Sequence, residues 1–246
     1  MKPRMIEQAA ILVGGRGTRL GSLTGSTPKP MLPVAGRPFL EYVVAWLRGQ
    51  GVRQVVFCAG YLAEIVEQHF GDGRHHGVQI SYSVEPEPGG TGGGLLLAKA
   101  RLEEMFFALN GDTLFDVDLS VLAGLLVTHP EARACLALRE VENVGRYGSI
   151  ESDGHWVTRF AEKNRAGRGW INGGIYCLRR SVLDDLPPAP CALEKDLFPG
   201  LAAQRRMMSY PFSGYFIDIG LPETLARAQD ELPRWEKAAG YLPVKI

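Results

Sequence analysis

The stretch Ala9-Ala10-Ile11-Leu12-Val13-Gly14-Gly15-Arg16-Gly17-Thr18-Arg19-Leu20 carries five apolar residues straight into a glycine-rich loop. An apolar run of that length closed by glycine reads as a buried strand, and the glycines read as backbone that must come close to a ligand. The loop is not a dinucleotide fingerprint, because Gly15-x-Gly17 lacks the third glycine and does not open directly into a helix. It is not a P-loop either, since no lysine stands in that register. It continues to Thr27-Pro28-Lys29-Pro30, a poor helix start. The remaining reading is a phosphate cradle of another type, built from backbone N–H groups with Arg16, Arg19 and Lys29. Lysine is scarce here, and Lys29 is held between two prolines, which suits a charge that must be aimed.

Outward from this loop, apolar runs alternate with amphipathic stretches. Strands are predicted at Gln54–Cys58, Gln79–Val84, Phe106–Leu109 and Ala134–Leu138. Helices are predicted at Phe39–Leu47, Leu62–Phe70, Gly94–Glu104 and Leu119–Thr128, with Asp116 and Asp118 as caps of the last. Such alternation implies an α/β fold with a mostly parallel mixed sheet, a Rossmann-like three-layer sandwich. The second half is richer in strands: Tyr147–Glu151, Trp156–Ala161, Ile171–Leu178, Met207–Tyr210 and Tyr215–Ile217. A helix is expected near Ala192–Ala203 and a last one at Pro222–Lys237, and Pro187–Pro190 reads as a rigid surface turn. One domain over residues 1–246 is the expectation, with a sheet-rich lobe in its second half.

Composition narrows the function. The formal net charge is zero, so no basic excess points to nucleic acid. No apolar run reaches the roughly 18 residues of a membrane helix, and the N-terminus lacks the apolar core of a signal peptide. Cys58, Cys135, Cys177 and Cys191 lie far apart, which excludes a zinc knuckle or a disulfide framework and suits a reducing cytoplasm. Glycine, at 30 residues, is in excess and clusters at 14–17 and 89–94. The five histidines show no metal-ligand spacing. Two carboxylates that end strands, Asp112 and Asp218, have the chemistry to hold one Mg²⁺ whose other positions are filled by phosphates.

Gly14-Gly15-Arg16-Gly17-Thr18-Arg19-Leu20 followed by Pro28-Lys29-Pro30 resembles the signature of the sugar-1-phosphate nucleotidylyltransferases. The likeness runs over nearly the whole chain. Gly36-Arg37-Pro38-Phe39-Leu40-Glu41-Tyr42 and Gly214-Tyr215-Phe216-Ile217-Asp218-Ile219-Gly220 look most like the branch that uses GTP and a heptose 1-phosphate to build surface glycans.

The resemblance implies a GT-A-like nucleotidyltransferase fold, with a nucleotide-binding half over residues 1–115 and a sugar-binding half over 116–246. It implies GTP and a sugar 1-phosphate as partners, Mg²⁺ as cofactor, and a possible homodimer. Arg19, Lys29 and Lys163 would be catalytic. Leu12, Gly14, Gly15, Gly17, Thr18, Glu85, Gly90 and Thr91 would contact the nucleotide, and Gly148, Glu162, Lys163 and Asn172 the sugar phosphate. Asp112 and Asp218 would be the metal pair. Gly173 and Gly174 would make room for the sugar, and the glycines at 89–94 would let a loop pass close to the base. Asn164 stands where the family has proline, and the GGTGGG run departs from its commoner wording.

Chemistry adds to the reading of Glu85. A carboxylate only accepts hydrogen bonds, so it suits the adjacent N1–H and 2-amino donors of guanine better than the carbonyl-flanked N–H of uracil or thymine. Mannose 1-phosphate, or another sugar phosphate with UTP, dTTP or CTP, stays open as a substrate. A non-catalytic nucleotide-sugar sensor is the rival class, and the presence of Arg19, Lys29, Asp112, Lys163 and Asp218 together argues against it. The short stretch after the last helix leads to the expectation of a monofunctional enzyme.

Overall fold

The computed structural model describes residues 6–15, 17–146, 148–161 and 167–241. Its first half contains β1 (Gln8–Leu12), the short hairpin of β2 (Pro33–Val34) and β3 (Arg37–Pro38), α1 (Phe39–Gly49), β4 (Gln54–Ala59), α2 (Ala63–Phe70), β5 (Gln79–Val84), α3 (Gly90–Ala98) and β6 (Met105–Asn110). There follow β7 (Thr113–Phe115), α4 (Leu119–Thr128), β8 (Ala134–Val141), β9 (Ser149–Asp153), β10 (Trp156–Ala161), β11 (Gly169–Arg179), α5 (Phe198–Ala203), β12 (Met207–Phe212), β13 (Phe216–Asp218) and α6 (Pro222–Ala239).

Nine strands form one mixed sheet in the order β5-β4-β1-β6-β11-β8-β12-β10-β9. The first-half strands β5, β4, β1 and β6 pair in parallel. In the second half only β8 and β12 do so; β11 lies antiparallel to both β6 and β8, and β10 antiparallel to β12 and β9. The parallel character of the sheet therefore lies mainly in its first-half strands.

The layers follow from side-chain alternation. Ala9 and Ile11 of β1, with Val55 and Phe57 of β4, join one core with α1, α2, α4 and α6. Ala10, Val56 and Cys58 face the opposite core with α3 and α5. Strands buried on both faces must be apolar at every position, which is why β1 and β4 are continuous apolar runs. All four cysteines are free thiols and buried. Burial pushes the Cys58 thiol up to about 12.

Two expectations are corrected. The run at Gly90–Gly94 is not a loop: it is the first turn of α3, so that helix starts earlier than its hydrophobic pattern suggests. The segment before residue 192 lies against it, and a Cβ at Gly92 would meet Cys191 Sγ at 2.8 Å and one at Gly93 would meet Ala189 Cβ at 3.0 Å. The glycines are thus required by helix packing. Pro187, Pro188, Ala189 and Pro190 are all exposed, as expected of a surface turn, and Ala189 of that turn also rests against α3. Finally, Asp118 caps α4 by accepting from Ser120 N at 2.9 Å, but Asp116 accepts from Trp235 Nε1 at 3.0 Å and so ties α6 to the sheet.

Candidate active site

β1 lies between β4 and β6, and the chain leaves it toward β4 and β5 before returning to β6 on the other side. In open α/β sheets such a switch point, at the carboxyl ends of parallel strands, is where a ligand crevice forms. Here it holds a cavity of about 450 Å³. The residues after each strand supply its walls: Gly14 and Gly15 follow β1, Glu85 follows β5, and Asp112 follows β6.

At one end stands Glu85, half-buried, accepting from Gly89 N at 2.8 Å. A Cβ at Gly14 would lie 2.5 Å from its Oε1, and one at Gly89 2.6 Å from its Oε2. The two glycines make room for this carboxylate. Burial pushes the Glu85 carboxyl above the ordinary range, and the Gly89 N–H pulls it partly back.

At the other end stand Lys29, Asp112 and Asp218. Lys29 sits in a 3₁₀ turn, Lys29–Met31, and is 7% exposed. Its Nζ donates to Asp112 Oδ2 in a short ion pair and lies 3.9 Å from Asp218 Oδ1. The two aspartates, far apart in sequence, meet because β7 and β13 pair antiparallel with Asp218 opposite Thr113. Ile219 N donates to Asp112 O at 3.0 Å and locks the register. Asp218 Oδ1 also accepts from Gly220 N at 2.5 Å. Burial, and after it the Asp112 charge, pushes the Asp218 carboxyl upward, while Lys29 pulls the other way. One ammonium nitrogen already lies near both carboxylates, so the pair has the spacing and hardness for a single small cation. Two carboxylates plus phosphate oxygens are the donor set Mg²⁺ takes.

Of the expected nucleotide residues, Leu12, Gly14, Gly15, Gly17, Glu85, Gly90 and Thr91 line the cavity, as do Arg19 and Lys29. Gly15 has open space beyond its Cα; Gly17, at φ 62°, instead lets the loop fold onto Thr24 and Lys29. The Thr91 hydroxyl is engaged within the protein: it donates to Glu194 Oε2 at 2.9 Å and accepts from Leu193 N at 2.9 Å. Arg16, Glu162, Lys163 and the Thr18 side chain lie outside the described residues.

Of the sugar-side expectations, the two that are described, Gly148 and Asn172, do not line this cavity. Gly148, at φ 80°, donates its N–H to Val144 O at 3.0 Å ahead of β9. Asn172 holds a bulge in β11: its Oδ1 accepts from Gly174 N at 2.9 Å and its Nδ2 donates to Tyr176 Oη at 2.9 Å. The space at Gly173 and Gly174 is taken by Phe115 and Asn110, not left open for a sugar.

Sequence reasoning missed Glu194. It accepts from Thr91 and, at 3.3 Å, from the wholly buried Tyr176 hydroxyl, so one carboxylate joins α3 to β11 and through it to Asn172. A carboxylate suits this place because it accepts twice and donates nothing. Asn110 and Cys58 also line the cavity; Asn110 stood beside Asp112 in sequence, which was signal enough to have found it.

The nucleotidyl transferase family model matches residues 8–234. The chain is 37% identical over 230 residues to the D-glycero-alpha-D-manno-heptose 1-phosphate guanylyltransferase of Aneurinibacillus thermoaerophilus, covering 93% of this chain and 99% of that protein. It is 36% identical to the mannose-1-phosphate guanylyltransferase of Mycobacterium tuberculosis, covering 92% of this chain and 64% of that one. The crystal structure of HddC from Yersinia pseudotuberculosis complexed with GMP-PN superposes with a TM-score of 0.78 at 31% identity, covering 92% of this chain and 99% of that chain.

Proposed function

The chain belongs to the nucleotidyl transferase family, and from that premise we propose that it transfers GMP from GTP to a sugar 1-phosphate, D-glycero-α-D-manno-heptose 1-phosphate first among candidates, releasing pyrophosphate. The observation that supports this most is the polarity of one cavity: an acceptor-only carboxylate, Glu85, at one end and the Lys29–Asp112–Asp218 cluster at the other. That arrangement suits a guanine base at the first and a triphosphate at the second.

In the proposed reaction a sugar-phosphate oxygen attacks the α-phosphorus in line. The new P–O bond forms as the bond to pyrophosphate breaks, and the electron pair leaves with pyrophosphate. A phosphate is already anionic near neutral pH, so no side chain need remove a proton. Catalysis is then positioning and charge neutralisation. Gly15 would let the backbone approach the phosphates, Arg19 would neutralise departing pyrophosphate, and Lys29 would neutralise charge at the α-phosphate. Asp112 and Asp218 would hold Mg²⁺, which when bound withdraws charge from the phosphate oxygens. Glu162, Lys163, Gly148 and Asn172 keep the sugar-phosphate roles that the family resemblance implies.

The test is pyrophosphate release with Mg²⁺, crossing the nucleoside triphosphates with a panel of sugar 1-phosphates. Release with GTP and the heptose phosphate, well above other pairs, is the expected result. A preference for mannose 1-phosphate would move the substrate to the second reading, which the mannose-1-phosphate relative supports. Release confined to UTP, dTTP or CTP would refute the role given to Glu85.

A further inference from the structure

We infer that Lys29 is the resident counter-ion of the Asp112–Asp218 pair and excludes a free divalent cation from it until a nucleoside triphosphate offers the ammonium another anion. The inference rests on the function proposed above, and its chemistry comes from the geometry of the cluster.

The Lys29 ammonium occupies the place a metal would need. It is paired with Asp112 Oδ2 and lies 3.9 Å from Asp218 Oδ1. Mg²⁺ takes carboxylate oxygens at about 2.0–2.1 Å, so it would sit within the same few ångströms as Nζ. There is little slack behind the ammonium, because a Cβ at Gly220 would lie 2.9 Å from Nζ and 2.7 Å from Asp218 Oδ1. The lysine backbone is also held: Met31 N donates to Pro28 O at 2.8 Å and Leu32 N to Lys29 O at 3.1 Å. Only the side chain is left to move.

Charge decides the rest. Two carboxylates and the ammonium sum to minus one, whereas the pair without Lys29 would carry minus two, with the Arg19 charge also acting on Asp218 in both cases. A free divalent cation gains one net negative charge and faces a positive one at close range, in a partly buried site where screening is weak. A triphosphate changes both conditions. Its oxygens accept the ammonium, which its flexible four-carbon stem can deliver, and they bring the metal with them. Lys29 thus does two jobs in turn. Before substrate it neutralises a carboxylate pair that would otherwise repel itself, and with substrate it turns to the phosphates. The cation is admitted only with its cargo.

The experiment is a Mn²⁺ titration followed by electron paramagnetic resonance on the full ligand-free chain, comparing wild type, Lys29→Met and Lys29→Arg. Wild type and Lys29→Arg, which keeps the charge, are expected to bind Mn²⁺ only in the millimolar range. Lys29→Met is expected to bind at least about tenfold more tightly. Mn²⁺ should also raise the melting temperature of Lys29→Met and leave that of wild type unchanged. Micromolar Mn²⁺ binding by nucleotide-free wild type overturns the inference, and that arm needs no variant to fold. Equal affinity in Lys29→Met and wild type overturns it as well. Pyrophosphate release by wild type, measured alongside, separates the two readings. Turnover together with tight nucleotide-free Mn²⁺ binding sinks the counter-ion role and leaves the proposed reaction standing. Charge-dependent Mn²⁺ exclusion without turnover does the reverse.

Discussion

Glu85 places a carboxylate where burial opposes its charge and the Gly89 backbone N–H donates to it. Its pKa is raised in the folded protein, so the folded state holds the proton more tightly than the unfolded chain does. The resulting stability is present at low pH and is lost as pH rises through the folded pKa. Guanine donors would reverse the slope for binding, because they favour the ionised form. GTP affinity is therefore expected to fall as pH is lowered from neutral into the raised Glu85 range. Glu85→Gln should weaken GTP by about tenfold, the worth of a charged hydrogen bond, and should flatten the acid-side loss. It should also melt at a higher temperature than wild type when ligand-free at neutral pH. Calorimetric titration across that pH range checks this, and an unchanged pH slope in the variant would exclude Glu85 from reading the base. Glu85 was legible through the family resemblance, which singles it out from Glu87 two residues on, before the same glycine run. Glu194 was not, because what makes it matter is Thr91 and Tyr176, which lie 103 and 18 residues away.

Helix α3 shows what an element's sequence hides. Local pattern reads Gly90–Gly94 as a loop, since glycine is a poor helix former. The structure makes it a helix because the first turn's N–H groups are satisfied from outside: Gly92 N and Gly93 N both donate to Cys191 O, at 2.9 and 3.3 Å. A Cβ at Gly90 or Gly92 would collide along that contact, so tertiary packing overrides propensity. Gly90, at φ 76°, would place a Cβ 2.4 Å from Cys191 O. Gly90→Ala is expected to cost about 2–3 kcal/mol, combining left-handed strain with a backbone collision. Gly124→Ala in α4, where a Cβ meets nothing within 4 Å, is expected to be neutral or to stabilise by up to about 1 kcal/mol. Urea unfolding of both separates packing from propensity; equal effects would refute the packing account. Elements whose pattern was set by their own residues, such as β5, β10 and α4, were read from sequence with their observed ends.

Across the whole molecule, the central join is the antiparallel ladder between β6 and β11. It makes one sheet of strands from both halves, and two cores run along its faces. The same join explains what sequence could not supply. Alternation of strands and helices implies the layers, but nothing local says that β11 inserts between β6 and β8. A shared central ladder also predicts that the halves unfold together. Calorimetry should show one transition, coincident with the loss of fluorescence from Trp46 in the first half and Trp156 in the second. Two separated transitions would mean that the ladder does not couple them.

Buried sulfur gives the folded chain an internal clock. Cys58, Cys135 and Cys177 lie within the staves β4, β8 and β11, and Cys191 lies on the segment that latches α3. An alkylating reagent reaches Cys135 and Cys177 only when the sheet opens, whereas Cys58 borders the cavity and is held back there by its raised pKa, because reaction needs both exposure and a thiolate. Each adduct on a sulfur away from the cavity therefore records an opening event. The order in which these sulfurs are marked is a map of where the molecule breathes, with the latch distinguishable from the staves.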